Sequence, residues 1–307
     1  MRLLTFFDEF SSEEACKLHF KALRDKQGVV CSKCESQKHY WLQNLWMYQC
    51  AKCNYRTSLK KGTMMENSKL KFKTWYAIMM LMTATKKGFS ASEVQRQLGK
   101  KRYEPIWRAM HKLRSAMGQR DDRYALEDMI EIDDAFFETE TSERAKKTLK
   151  RGRGSKKQTK AVIAAESTPL ENPETGEQSS SCRFFKMKVC DSFSAKHNDD
   201  LITAIIGENA VITTDKSTSY VNISKYVDVH LTEKSSKETT KTALKWAHIA
   251  ISNAKRAFLG IYHKIKAKFL QAYMDEFIYK LNRRYFGENL FQRLAIALSS
   301  SNLQSCG

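Results

Sequence analysis

Apolar positions recur at helical spacing through the first third of the chain, then give way near residue 129 to strand-like runs. In residues 11–25, Ala15, Leu18 and Ala22 fall on one helical face, and Ser11-Ser12-Glu13-Glu14 supplies an N-cap and an acidic first turn. Residues 28–58 form a cysteine-rich module with short β-type runs at His39–Leu42 and Trp46–Gln49. Helices are predicted over Lys71–Thr85, Ser92–Leu98 and Glu104–Met117, punctuated by Gly88 and Gly99. The Ile-, Val- and Phe-rich runs Met129–Phe137, Lys160–Ala165, Arg183–Val189 and Ala210–Thr214 predict strands. His197–Ile206 reads as a helix between strands, and Thr240–Phe258 and Lys266–Arg284 as long helical segments.

Two interruptions break the strand region. Residues 144–160 carry nine Lys or Arg and no acid, which suits a DNA-tracking loop and equally a solvated insertion. The stretch STPLENPETGEQSSS holds two of the chain's three prolines and predicts a surface loop over 167–182.

Composition sharpens this picture. With 42% hydrophobic residues, the 307-residue chain is not disordered throughout. Lys and Arg total 53 against 34 acids, a net charge of +19, which favours a polyanionic partner, although such a surplus also serves solubility. The start, MRLLTFFDEFSSEEAC, interrupts any secretory apolar core with acids, and the longest apolar stretch, Trp75 to Ala84, is too short to cross a bilayer. These features predict a cytoplasmic, nucleoid-associated protein with no membrane partner.

Cys31 and Cys34 are separated by two residues, as are Cys50 and Cys53, and fifteen residues lie between the pairs. Two such knuckles present four sulfurs to one ion, the arrangement of a structural zinc site with no open position. His39 lies inside the module, but four cysteines already close the shell. Lys33, Lys38, Lys52, Arg56, Lys60 and Lys61 interleave with Tyr40, Trp41, Trp46 and Tyr48, a surface suited to nucleic acid and also to protein. Further on, Phe89–Val94 and Leu98-Gly99 read as a first helix and turn. Tyr103–Leu113 follows as a second helix, with Trp107, Met110 and Leu113 as its apolar stripe and Arg102, Arg108, Lys112 and Arg114 on its free side. Such a pair suits a helix-turn-helix reading the major groove, and a plain helical bundle shares the pattern.

The strand region carries acids where apolar residues belong. In Met129–Phe137, alternation sends Asp133 to the face opposite Ile132 and Asp134. The run Ala210–Thr214 ends on Asp215. A carboxylate in a central strand is costly unless paired or metal-bound. Two on neighbouring strands suit divalent ions about 4 Å apart, the arrangement that promotes phosphoryl transfer.

The order of zinc ribbon, helix-turn-helix and interrupted strands resembles bacterial insertion-sequence transposases of the DDE class, in particular the family numbered fifteen-ninety-five. FFDEFSSEEACKLHF, GVVCSKC, YQCAKCNYRTSLKKGTMM, HIAISNAKRAFLGIYH and LQAYMDEFIYKLNRR carry the resemblance, which covers nearly the whole chain. It implies an α/β catalytic domain, a ribonuclease-H-like mixed sheet flanked by helices, preceded by a small zinc ribbon and a helical helix-turn-helix domain. The expected boundaries are an N-terminal helix over 1–27, the ribbon over 28–66, the helix-turn-helix over 67–122 and the catalytic domain over 123–300, with its basic insertion at 141–160.

The resemblance also implies site residues. Asp133 matches the first catalytic aspartate and Asp215 the second. The third position, Glu or Asn in many members, lies seven residues before a Lys; counting back from Lys255 gives His248, a departure from the acidic pattern. Imidazole adds no negative charge and is a softer ligand than carboxylate. Glu131, Asp134, Asp275 and Glu276 are the acids available in its stead. Lys255 and Arg256 are expected to meet DNA phosphate, as are Lys150, Arg151 and Arg153 in the basic run. The implied activity is that of a DNA transposase that binds terminal inverted repeats, then cuts and joins strands with Mg²⁺ or Mn²⁺ beside structural Zn²⁺. The DNA partners are transposon ends and target, met by a homodimer or larger synaptic assembly. A DNA-binding regulator that has lost catalysis and a nuclease that never joins are the alternatives.

Overall fold

Local capping chemistry sets where the helices begin. The computed structural model describes residues 1–140, 158–171, 173, 175–176, 178–190, 195–207, 210–217, 220–227, 229–234 and 243–301. Its helices are α1 (Leu3–Glu9), α2 (Glu13–Gln27), α3 (Phe72–Ala84), α4 (Ala91–Gln97), α5 (Tyr103–Asp121), α6 (Ala195–Ile205), α7 (Lys245–Tyr262), α8 (Leu270–Asn282) and α9 (Leu290–Ser300). Its strands are β1 (His39–Leu42), β2 (Met47–Cys50), β3 (Arg56–Ser58), β4 (Met129–Glu138), β5 (Gln158–Glu171), β6 (Gln178–Cys190), β7 (Val211–Asp215) and β8 (Val229–Glu233). The chain divides into two compact units: Met1–Arg120 together with the chain from Arg283, and Asp121–Asn282.

In the first unit, Ser12 caps α2 by accepting from the Ala15 N–H at 3.0 Å, and Gly28 ends it at a positive φ of 80°. Glu13 does a second job: its two carboxylate oxygens accept the Phe72 and Lys73 N–H groups at 2.8 Å each. They cap α3, whose own N-cap residue, Lys71, offers no side-chain bond. α3 is apolar on nearly every side, burying Trp75, Tyr76, Ile78, Met79 and Met82 completely. Among the described residues, no helix is long and apolar enough to cross a membrane.

The last helix, α9, packs with α2 and α3. Its Phe291 lies edge-on or tilted against Phe6, Phe10 and Tyr76, with ring centroids 5.5–5.8 Å apart. His19 of α2 hydrogen-bonds both the Tyr76 hydroxyl at 2.7 Å and Gln292 at 2.9 Å. The expected catalytic domain ran to residue 300, whereas α9 groups with the N-terminal unit.

The second unit is a mixed five-stranded sheet in the order β6-β5-β4-β7-β8, flanked by helices: the α/β architecture expected of a ribonuclease-H-like domain. β4 runs antiparallel to β5 and parallel to β7. Odd-numbered residues of β4 and β5 (Ala135, Phe137, Ala161, Ile163) pack with Ala247, Ala250, Ile251, Ala254 and Phe258 of α7 and with α8. Even-numbered residues (Ile130, Ile132, Val162, Ala164) pack with Ile202 and Ile205 of α6 and with Ile212, Tyr220 and Ile223. The small residues on α7 bring its axis close to the sheet at the level of Asp133.

One expected loop is corrected. The stretch over 167–182 is largely hairpin ladder: Ser167 pairs with Cys182, Pro169 with Ser180 and Glu171 with Gln178, past an irregularity at Glu166/Ser167. β4 pairs with β5 only as far as Ser167, so Pro169 sits where β5 has become an edge and owes no hydrogen bond on that side. The basic run containing Lys150, Arg151 and Arg153 lies outside the described residues.

Candidate functional site

In the ribbon, Cys31 and Cys34 sit in a turn before β1, Cys50 closes β2 and Cys53 lies in the next turn. All four sulfurs fall within 4.8 Å of one another, the only such group of potential ligands among the described residues. The Cys31–Cys53 and Cys34–Cys50 sulfurs are 3.6 and 3.5 Å apart. A tetrahedron with Zn–S bonds of about 2.3 Å has edges of about 3.8 Å, so the donor set and its size fit zinc. His39 stays outside the cluster, its Nδ1 3.1 Å from the Gln37 carbonyl.

The ribbon's aromatic residues are not all presented to solvent. Trp41 and Tyr48 pack edge to face, and Lys17 and Lys21 of α2 sit 4.9 Å over the Trp46 and Trp41 rings. The Tyr48 hydroxyl donates to Asp25 at 2.8 Å. These three aromatics seat the ribbon on α2, while Tyr40 stays 64% exposed.

Of the basic residues expected along α5, Arg102 and Arg108 are exposed, and Arg108 pairs with Glu104 at 2.6 Å. The Lys112 ammonium donates to the Glu66 carbonyl at 2.6 Å. Arg114 requires a correction, because it is only 1% exposed. It follows Met110 by one helical turn and so lies on the buried stripe formed by Ile106, Ala109, Met110, Leu113 and Met117. A residue so placed has no face to offer to DNA.

In the second unit, Ile132 of β4 stands in register with Thr214 of β7, so Asp133 and Asp215 are the next residues along two adjoining parallel strands. The Asp134 N–H donates to Asp133 Oδ1 at 2.8 Å, and Asp133 Oδ2 lies 3.4 Å from Nε2 of His248 on α7. The Asp133 side chain is 14% exposed and that of His248 37%, so the pair opens to solvent on the helix side. Burial pushes the Asp133 carboxyl above its usual range. The neighbouring Asp215 charge pushes the same way, while His248 and Lys255 pull it down. The Lys255 ammonium is 5.9 Å from the Phe137 ring centroid, and exposed Arg256 holds Asn253 at 2.9 Å. Asp133 thus meets His248 directly and lies within electrostatic reach of Asp215 and Lys255. Asp215 is steadied by the Ser217 N–H at 3.2 Å. Beneath it, buried Thr214 bonds His230 of β8 at 2.8 Å.

The four acids weighed as substitutes for a third carboxylate are engaged elsewhere. Asp134 faces away from α7 and accepts the Tyr220 hydroxyl. Asp275 accepts the Gln271 amide at 2.8 Å, and burial pushes its carboxyl up to about 7. Glu276 is buried in an ion pair with Lys280 at 3.7 Å. Glu131 accepts the Trp246 and Ala247 N–H groups at 2.6 and 2.9 Å; burial pushes its carboxyl up to about 7 against the pull of those two bonds. Glu131 precedes Asp133 by two residues, so strand alternation alone places both on the α7 face.

Comparison with known families closes the identification. Residues 125–282, just over half of the chain, match the ISXO2-like transposase domain, and residues 11–56 match the transposase zinc-ribbon domain. No curated protein matches the chain. The ribbon match takes in α2, the helix that Trp41, Trp46 and Tyr48 pack against. With the catalytic match ending at the last residue of α8 and the ribbon match spanning the cysteine cluster, the chain belongs to the ISXO2-like transposase family of DDE transposases.

Proposed function

We propose that this protein is the transposase of an insertion sequence, which binds the terminal inverted repeats of its element and cuts and joins DNA strands at Asp133, Asp215 and His248. The observation that supports this most directly is the contact of Asp133 with His248, beside a strand whose Asp215 charge, with that of Lys255, acts on the Asp133 carboxyl. The two carboxylates and the imidazole are donors suited to divalent ions, two hard anionic groups on interior strands of the sheet and one nitrogen from α7. Mg²⁺ or Mn²⁺ bound there supplies positive charge at the scissile phosphate and makes water or a 3′-hydroxyl a better nucleophile. Asp133 is held by its bond to the Asp134 N–H, and the Asp215 and His248 side chains would have to close on it to share an ion. Lys255 and Arg256 are exposed on α7 and meet the DNA phosphates beside the cut. Zn²⁺ on Cys31, Cys34, Cys50 and Cys53 stiffens the ribbon. The ribbon, the α4–α5 pair acting as a helix-turn-helix, and the basic run containing Lys150, Arg151 and Arg153 hold the ends, aided by the net charge of +19. Two ends cut in concert call for a homodimer or larger assembly on DNA.

The test is a labelled duplex carrying the ends of the element, incubated with protein and Mg²⁺ or Mn²⁺ and followed for nicking and for transfer into a plasmid. Cutting and joining together are expected. Binding without cutting identifies a regulator that has lost catalysis, and cutting without joining identifies a nuclease.

The histidine gives a sharper expectation. Because imidazole is the softer ligand, cutting with Mn²⁺ is expected to equal or exceed that with Mg²⁺, and His248→Glu is expected to retain cutting and shift the preference toward Mg²⁺. His248→Ala is expected to lose about 10- to 100-fold in rate, the usual cost of disturbing a ligand shell. A His248→Ala protein that cuts at the wild-type rate removes the imidazole from the site.

A further inference from the structure

We infer that Glu131 is the positioning residue of this catalytic centre: it fixes the first turn of α7, and with it His248, against the strand that carries Asp133. The inference rests on the reading of Asp133, Asp215 and His248 as the catalytic residues and adds a residue to it.

α7 starts without a cap of its own. Its N-cap residue is Leu244, buried and with a side chain that cannot accept a hydrogen bond, at φ −121° and ψ 30°. The first N–H groups of a helix have no partner within the helix, and burying them unpaired is costly. A capping side chain normally takes the N–H of the second or third helical residue. In α7 these are Trp246 and Ala247, and both donate to one oxygen of Glu131, at 2.6 and 2.9 Å. The cap therefore comes from the neighbouring strand, and Glu131, 8% exposed, has little other outlet.

The geometry ties this cap to the chemistry. Glu131 and Asp133 are two residues apart on β4 and point to the same face. Glu131 holds residues 246 and 247, and Asp133 meets residue 248. One strand thus sets both the position of the first carboxylate and the register of the helix that brings the imidazole to it. The Trp246 indole N–H donates to Ser180 of β6 at 2.9 Å, a second tie on the same turn. Without the carboxylate the turn frays, and His248 is the next side chain along.

A cap acts through its reach, whereas a metal ligand or general acid acts through its charge or proton. Glu131→Gln keeps the reach and an accepting oxygen but loses the charge. Glu131→Asp keeps the charge but falls one methylene short. With Glu131 as a positioning residue, the Gln protein is expected to cut DNA ends within a fewfold of wild type. The Asp protein is expected to lose about 100-fold, the scale of a small misplacement at a reactive centre, with end binding unchanged. Hydrogen exchange at the Trp246 and Ala247 amides is expected to stay slow in the Gln protein and to speed up in the Asp protein. Asp cutting as well as or better than Gln, or both losing activity together, overturns the inference and makes Glu131 a ligand or acid. Wild-type cutting by both variants also overturns it. Asp133→Ala in the same assay separates the two readings. If it cuts, the catalytic assignment fails; if it is inactive while both Glu131 variants cut normally, only the role of Glu131 fails.

Discussion

Asp133→Asn is expected to lower end cleavage on the order of 10³-fold or more, the scale of losing a preorganised electrostatic group at a reacting phosphate, while leaving end binding intact. Asp215→Asn is expected to match it, because the two carboxylates stand side by side on adjoining strands and either loss leaves a divalent ion with half its anionic donors. Stability gives an independent check with the opposite sign. Burial and the Asp215 charge hold the Asp133 carboxyl above its usual range. A carboxyl raised in the folded state contributes stability below its unfolded pKa and loses that contribution as pH rises through the folded value. At neutral pH the charged Asp133 therefore costs stability, and Asn removes the cost. In buffer without divalent ions, the Asn protein is expected to melt at or above the wild-type temperature at pH 7.5, with the advantage gone at pH 3.5. A folded variant that cuts normally removes Asp133 from the chemistry. Asp134→Asn is the matched control: its carboxylate is turned to the other face, toward Tyr220.

Removing zinc is expected to have the larger effect on structure. The ribbon sheet has strands of four, four and three residues, and its buried apolar residues include Val29, Tyr48 and Leu59 beside Cys31 and Cys50. So small a sheet does not fold on apolar burial alone. A structural zinc contributes about 10–16 kcal/mol of apparent binding free energy, which exceeds the stability of most domains. Cys50→Ser is expected to lose its bound zinc, measured by atomic absorption against a wild-type value of one ion per chain. It is also expected to become protease-sensitive across residues 28–61 and to lose end recognition. The unfolding would release Trp41, Trp46 and Tyr48 from α2, so tryptophan fluorescence should shift red. The sheet of the catalytic unit has its own two-faced core and is expected to keep its circular dichroism. A zinc-free Cys50→Ser protein that binds ends with wild-type affinity would show the ribbon to be dispensable.

Much of this was legible in the sequence, because the relevant physics is local. The cysteine spacing fixes two knuckles, and alternation along Met129–Phe137 puts Asp133 opposite Asp134. The Ser12 cap sets the start of α2. What could not be read depends on contacts between distant segments. β8 is a five-residue edge strand whose partner, β7, precedes it by a long connection, and the alternation of Val229 and Leu231 with polar residues is too short to mark it alone. The loop expected over 167–182 became ladder because cross-strand pairing outweighs the turn propensity of Ser, Pro and Asn. Arg114 looked exposed because the stripe was drawn through Trp107, but the buried face runs through Ile106, Ala109 and Leu113, and Arg114 falls within it. Glu131 was noticed as an acid, but its role as a cap requires knowing that α7 starts beside β4.

The return of α9 to the first unit bears on how the chain can be divided. Phe291 closes the aromatic cluster of Phe6, Phe10 and Tyr76, and Gln292 bonds His19, so a helix that follows the second unit in sequence completes the unit that precedes it. Without α9, the apolar faces of α2 and α3 that it covers would form an open groove. A product of premature termination at residue 282 would retain Asp133, Asp215 and His248 yet carry that groove permanently. No single cut in the chain therefore releases the first unit whole, because its two segments lie on either side of the second unit in the sequence.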